Sequence, residues 1–233
     1  MDTLEQDVAT GLGRVRQRIA EAATRFGRAP GSVQLLAVSK VQPAAKISAA
    51  YAAGQVAFGE SYTQEALDKQ AELRKLPLIW HFIGRIQSNK TRDIAASFDW
   101  VHSVCEIKHA RRLGSQRPTS LGPLKLCVQV NLGGEASKAG LAPEQVGAFI
   151  AECADIEGIS VEGLMTLPAP STDIDSQRRP FAALRELRDR LARPGLALST
   201  LSMGMSTDLE AAIAEGATIV RVGTAVFGAR PQR

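Results

Sequence analysis

QLLAVSK, residues 34–40, is a short apolar run that closes on one lysine, Lys40, with a proline following at Pro43. An apolar run of this length reads as a strand buried on both faces, the kind that builds parallel sheets. Side chains alternate along a strand, so Val38 and Lys40 point the same way. If Val38 faces an interior, Lys40 stands at its mouth. An amine there is partly desolvated, the condition that depresses an amine's pKa and makes it a better nucleophile toward a carbonyl. The alternative is a strand-end lysine that simply reaches solvent. The run alone leaves both open.

The same pattern recurs along the chain. Leu4, Val8, Leu12, Val15 and Ile19 fall at three- and four-residue spacing and predict a helix over 3–25, stopped by Gly27 and Pro30–Gly31. After the strand at 34–39, further strands are expected at 55–59, 78–82, 99–104, 123–131, 159–165, 196–202 and 217–223. Helices are expected between them, over 43–53, 62–75, 88–97, 106–114, 143–153, 178–192 and 207–215. Ser61 with Gln64 reads as a capping box for the second of these. The polar segment 168–176 has no clear period and is either a lid or an ordinary surface loop. Short apolar strands alternating with helices, without a half-and-half break, favour a closed (β/α)₈ barrel over an open doubly wound sheet. The 3–25 helix is then additional. It either caps the bottom or stands in for the helix missing after the last strand.

Barrels of this kind place ligands at the C-terminal ends of the strands, with phosphate commonly in the loops after strands seven and eight. SMGMST (202–207) and VGTAVFG (222–228) occupy those positions. Gly204 and Gly223 let backbone N–H groups approach an anion, and Ser202, Ser206 and Thr224 offer hydroxyls. Each loop also reads as a plain turn. Closure of the barrel sets strand eight beside strand one, which brings both loops to Lys40. An aldehyde bearing a phosphate would use this pair of handles, and pyridoxal 5′-phosphate (PLP) is the cofactor that carries it.

Arg221 shares its parity with Ile219 inside an otherwise apolar strand, and a buried arginine needs a partner. A carboxylate such as Glu60 or Glu162 would serve; so would a pyridine nitrogen. Arginine stays protonated, so it would donate to an unprotonated ring nitrogen and leave the ring a poor electron sink. His81, at the end of its strand, is expected near the mouth as an acid, a base or a structural hydrogen-bond partner. Asn131 and Met165 also end strands and are candidate pocket walls, although Met165, Met203 and Met205 are equally suited to fill a core. His102 and His109 read as structural or exposed. Tyr62 is the one tyrosine expected near the mouth.

Composition closes off other classes. The 233 residues, 45% hydrophobic, suffice for one sizeable core, and the whole chain, 1–233, is read as a single domain. Net charge is only +4, bases and acids are interspersed, and 5% of residues are aromatic, which speaks against nucleic-acid binding. Cys105, Cys127 and Cys153 are too few and too scattered for a disulfide framework and suit a reducing cytoplasm. No apolar run is long enough for a membrane span, the N-terminus is unlike a signal peptide, and the histidines lack metal-ligand spacing.

With these residues in place, the sequence resembles the YggS/PROSC family of PLP-binding, or PLP homeostasis, proteins. The likeness rests on LLAVSK (35–40), FGESYTQE (58–65), WHFIGRIQSNK (80–90), VQVNLGGEASKAG (128–140), EGLM (162–165), LSMGMSTDLEAAIAEG (201–216) and VRVGTAVFGAR (220–230). It implies a barrel like the N-terminal domain of alanine racemases, the fold-type III PLP enzymes. It further implies a Schiff base at Lys40 and phosphate contacts from Ser202, Gly204, Ser206, Gly223 and Thr224. Arg221 would face the pyridine nitrogen, with Asn131 and Met165 in the pocket wall. The family usually reads FGEN where this chain reads FGES, and the serine at Ser61 cannot span the distance that the asparagine's amide does.

The resemblance implies PLP binding in vitamin B6 homeostasis, without established turnover. The partner expected is the small molecule itself, with no nucleic acid and no membrane. A monomer that touches PLP-dependent enzymes transiently fits this reading. Two alternatives stand beside it. A weak PLP-dependent amino-acid racemase needs a second base opposite Lys40; no second domain is expected after strand eight to supply one, which leaves Tyr62 or a partner chain. A Schiff-base barrel enzyme acting on a phosphorylated metabolite would be colourless.

Overall fold

The computed structural model describes residues 3–133 and 139–229. The EASK part of the loop expected after strand five and the end of the VRVGTAVFGAR motif lie outside them. Eight parallel strands close in sequence order: β1 (Gln34–Val38), β2 (Ala57–Glu60), β3 (Ile79–Phe82), β4 (Trp100–Val104), β5 (Leu124–Gln129), β6 (Ile159–Met165), β7 (Thr200–Ser202) and β8 (Ile219–Val222). β8 pairs back onto β1 from Gln34↔Ile219 to Ala37↔Val222, which seals the barrel. Between the strands run α2 (Ala44–Ala52), α3 (Thr63–Glu72), α4 (Thr91–Ser97), α5 (Ile107–Gln116), α6 (Val146–Ala154), α7 (Ile174–Leu191) and α8 (Leu209–Ala214).

The helix ahead of β1, α1 (Thr3–Arg25), buries Val8, Leu12, Val15 and Ile19 along one stripe. It packs beside α2 and α8 and against α9 (Thr224–Phe227), a single turn after β8 that the sequence did not reveal. Arginines on and just after α1 fix its position. Arg18 bonds Glu210 on α8 through both guanidinium nitrogens that face it, at 3.0 and 2.7 Å. Arg28 donates to the carbonyls of Ile213 and Ala217. The Ile213 carbonyl, in the last turn of α8, also accepts the Gly216 N–H, so Arg28 reinforces that helix end. α1 thus fills the gap in the outer ring, and part of its length also borders the bottom of the barrel.

The alternation inferred for the first strand sets what faces where. Leu35 and Ala37 belong to the main apolar core, which fills the shell between strands and helices. Leu36 and Val38 point the other way, into the barrel. The interior they enter is not the usual layered packing of branched apolar residues. His81, His102, Cys127, Ser202 and Arg221 all lie there, each almost fully buried. The strands are therefore apolar on the outer face and partly polar on the inner one. No helix among the described residues is long and apolar enough to cross a membrane.

Several boundaries differ from the sequence expectation for physical reasons. The expected strand 196–202 is only Thr200–Ser202, because Leu198 adopts a φ of +44° and Arg193 pairs with Leu196 in a turn. The 168–176 loop is shorter than expected, because Asp173 caps α7 by accepting the N–H of Ser176 at 2.8 Å. Ser61 does not cap α3. The N-cap is Tyr62, whose side chain makes no capping bond to the helix, and Gln64 reaches forward to Asp68.

Candidate functional site

Lys40 lies two residues beyond β1, half-buried. Since Ala37 pairs with Val222, Gly223 comes next to Val38. A Cβ at Gly223 would stand 3.0 Å from the Val38 carbonyl oxygen, so glycine lets the loop after β8 run tightly past the strand that carries Lys40. Thr224 follows, exposed, as the first residue of α9. After β7 the chain turns at Gly204, whose φ of +92° suits glycine alone. The Arg221 backbone N–H donates to the Gly204 carbonyl at 2.9 Å and stitches this turn to β8. Met205 N–H donates to Asp208 Oδ1 at 2.6 Å, which rounds the turn over half-buried Ser206. Met165 ends β6 in register with Ser202, fully buried. Asn131 lies two residues past β5, where its Oδ1 accepts the Gly133 N–H at 3.2 Å. Lys40, Asn131, Met165, Gly204, Ser206, Gly223 and Thr224 therefore gather on one rim.

Arg221 and Ser202 lie just under that rim. The guanidinium donates through Nη1 to the carbonyl and hydroxyl of Ser202, at 2.6 and 2.7 Å, and through Nη2 to the Thr166 carbonyl at 2.9 Å. Among the described residues it forms no ion pair. Burial draws its pKa down to about 10, against the pull of Asp208 and Cys127. The carboxylates considered as its partners are engaged elsewhere: Glu60 with Lys69 and Ser39, Glu162 with Ser160. A guanidinium carries five donors. Three are used in these bonds, which leaves two for another acceptor.

The Ser202 hydroxyl does not point to the glycine loops. It is buried in a row that crosses the barrel, 2.8 Å from His102 Nδ1, with His102 Nε2 in turn 2.9 Å from His81 Nδ1. His102, read as structural or exposed, is structural: it is fully buried, with two polar partners and ring contacts to Trp100 and His81. His81 was expected at the mouth. Its side chain instead faces the lower half of the barrel, beside Gln34, Val56 and Lys125 at the N-terminal strand ends. Burial draws the His81 pKa down to about 3, with Lys125 adding to the effect, and holds His102 well below the usual imidazole value. Both rings are neutral at physiological pH. His109 is structural, as expected, buried on Ser88.

A second cluster grips the backbone on both sides of Lys40. Ser39 donates its hydroxyl to Glu60 Oε1 at 2.6 Å, and the Val41 N–H donates to Glu65 Oε1 at 2.5 Å. Lys69, buried between the two carboxylates, donates to Glu60 at 2.8 Å, to Glu65 at 2.6 Å and to the Ser39 carbonyl at 2.8 Å. Burial pushes the Glu60 carboxyl up while Lys69 and Ser39 oppose that rise, and Glu60 Oε2 is buried with no partner among the described residues. Val41 has a φ of +63°, a strained conformation for a β-branched residue. The cluster fixes that turn and so the direction in which Lys40 leaves the strand. The sequence held a signal for it: Glu65 and Lys69 are four apart on α3, one turn beyond a strand that ends in an acid. No cluster of metal-ligating side chains occurs among the described residues.

Residues 11–231 match the family described as alanine racemase, N-terminal domain. Nearly the whole chain is similar to proteins called pyridoxal phosphate homeostasis protein. It is 56% identical to the one from Pseudomonas aeruginosa, over 96% of each chain. It is 44% identical to the one from Escherichia coli, over 96% of this chain and 97% of that relative. Among solved structures, PipY of Synechococcus elongatus with PLP bound is 44% identical and superposes with a TM-score of 0.78, covering 90% of this chain and 100% of that one. An alanine racemase from Corynebacterium glutamicum, at 17% identity and a TM-score of 0.70 over 97% of this chain and 61% of that one, shares the fold.

Proposed function

The chain belongs to the pyridoxal phosphate homeostasis protein family, and we propose that it holds pyridoxal 5′-phosphate on the C-terminal rim of its barrel, bonded to Lys40. The observation that carries this reading is Arg221. It is a buried arginine with no ion pair among the described residues and two unused donors, set between the strand of Lys40 and the turn at Gly204. A ring nitrogen is an acceptor suited to those remaining donors, and the close backbone approach at Gly223 fits a phosphate group. When bound, the group supplies an aldehyde that condenses with an amine and a conjugated ring able to draw electrons from it.

In this reading Lys40 is the amine, and the Ser39–Glu60–Glu65–Lys69 cluster aims it. Backbone N–H groups at Gly204 and Gly223, with the hydroxyls of Ser206 and Thr224, take the phosphate. Ser202 acts from below by bracing the guanidinium of Arg221, so its part is positioning. Met165 and Asn131 form the side of the pocket. Arg221 stays a donor at neutral pH and keeps the ring nitrogen unprotonated, which favours retention of the group over carbanion chemistry. The protein's role is then to bind and hand on PLP within B6 homeostasis, not to turn over an amino acid.

Absorbance tests this reading. The purified protein should be yellow, and Lys40→Ala should lose the long-wavelength band while unfolding at the same urea concentration as the parent. A Lys40→Ala protein that keeps the band would refute it.

A further inference from the structure

The barrel has a second opening. At the N-terminal ends of β1–β5, bordered by α1, lies a cavity of about 670 Å³. Leu35, Val56 and Ile79 give it apolar walls, the last two partly open to solvent. Arg16, Arg28 and Lys125 line it as well, and none of the residues that line it is an aspartate or glutamate. These cations form no ion pairs among the described residues. Arg16 and Arg28 donate to main-chain carbonyls, Arg16 also to the Gln55 side chain, and Lys125 lies 5.3 Å from the centre of the Trp100 ring. A concave, uncompensated positive site with apolar walls fits an amphipathic anion.

His81 points into this cavity, 4% exposed, and its Nε2 has no partner among the described residues. The row of bonds above it fixes which proton it carries. Arg221 donates to the Ser202 hydroxyl oxygen, so the hydroxyl hydrogen goes to His102 Nδ1. His102 then carries its proton on Nε2 and donates to His81 Nδ1. That leaves the His81 proton on Nε2, aimed into the cavity. The opposite assignment strands the serine hydrogen without an acceptor among the described residues. The row therefore runs as one chain of donors from Arg221 to the lower opening.

We propose that the lower cavity binds a small organic carboxylate, held by Arg16, Lys125 and the Nε2–H of His81, and that binding there is transmitted to Arg221 through His102 and Ser202. An anion accepting from His81 makes each upstream acceptor stronger in turn. Ser202 then holds the guanidinium more firmly, and the field of Arg221 at the opposite rim weakens. Transmission to a cofactor rests on the PLP reading above; the cavity site does not.

The test uses protein whose lysine-bound PLP has been fixed by borohydride, so that no probe displaces it, together with Lys40→Ala. Benzoate, hexanoate and inorganic phosphate are titrated by calorimetry and by ¹⁵N NMR of the imidazoles. Saturable benzoate or hexanoate binding is expected in both proteins, with His81 and His102 shifting together. Arg16→Gln/Lys125→Gln should weaken it at least tenfold without changing PLP content. Three results overturn the site: no saturable carboxylate binding, binding unchanged in the double variant, or phosphate bound more tightly than either carboxylate. Carboxylate binding that moves His81 but neither His102 nor the absorbance of unreduced holoprotein overturns the transmission alone. Binding in Lys40→Ala with no PLP adduct in the parent would uphold the cavity and refute the PLP reading.

Discussion

Glu65 Oε1 accepts the backbone N–H of Val41 at 2.5 Å, tying α3 to the turn directly after Lys40. Lys69 bonds the same oxygen and also the Ser39 carbonyl, so the residues on either side of the lysine are held by one buried ion cluster. Lys69→Met should cost about 3–5 kcal/mol, because it leaves two carboxylates without their buried cation. Adding Glu60→Gln should recover part of that loss. Urea unfolding of the single and double variants measures both, and a Lys69→Met protein as stable as the parent would contradict the assignment.

The left-handed turn is the strained element that this cluster restrains. Val41→Gly should relieve about 1 kcal/mol of backbone strain and raise the unfolding midpoint. It should also speed PLP release, since the direction of Lys40 is then less fixed. Unfolding curves and the rate of absorbance loss on transfer to an apo-enzyme acceptor check the two halves separately.

The buried imidazoles make stability fall in acid. His81 titrates near 6.5 when unfolded and at about 3 in the fold, and His102 is shifted the same way. Below the unfolded value the unfolded chain binds protons that the folded one refuses. This contribution is intact above pH 6.5 and is lost progressively as the pH falls toward 3. The slope should be about 1.4 kcal/mol per pH unit for each ring. Urea midpoints between pH 7 and pH 4 should show it, and His81→Gln should flatten it by about one ring's share.

Arg221→Glu sets an acid against the Ser202 and Thr166 carbonyls, which now accept from the guanidinium. It should destabilise the fold by about 2–5 kcal/mol. In whatever fraction folds, the new acid should favour a protonated ring nitrogen and shift the absorbance. An unchanged spectrum in folded Arg221→Glu would remove the ring from Arg221.

Much of this was legible in the chain. α1 spans the predicted residues, 3–25, because its apolar stripe repeats over a long stretch, and β6 spans the predicted 159–165. The loops after β7 and β8 could be placed beside Lys40 because barrel closure carries them to the end of β1. What was missed has a common cause in three dimensions. α9 is one turn long, too short to show a period. His81 and His102 occupy inward positions of β3 and β4, and only the closed barrel shows that Ser202, a hundred residues on, completes their row. Glu60 was weighed as a partner for Arg221, but Lys69, reaching in from α3, claims it.

The central claim is that one particular amine carries the cofactor, and its direct test is borohydride reduction of the purified protein followed by peptide mass mapping. The account predicts a single phosphopyridoxyl adduct, on Lys40. An adduct on any other lysine with Lys40 unmodified, or no adduct after incubation with excess PLP, would contradict it.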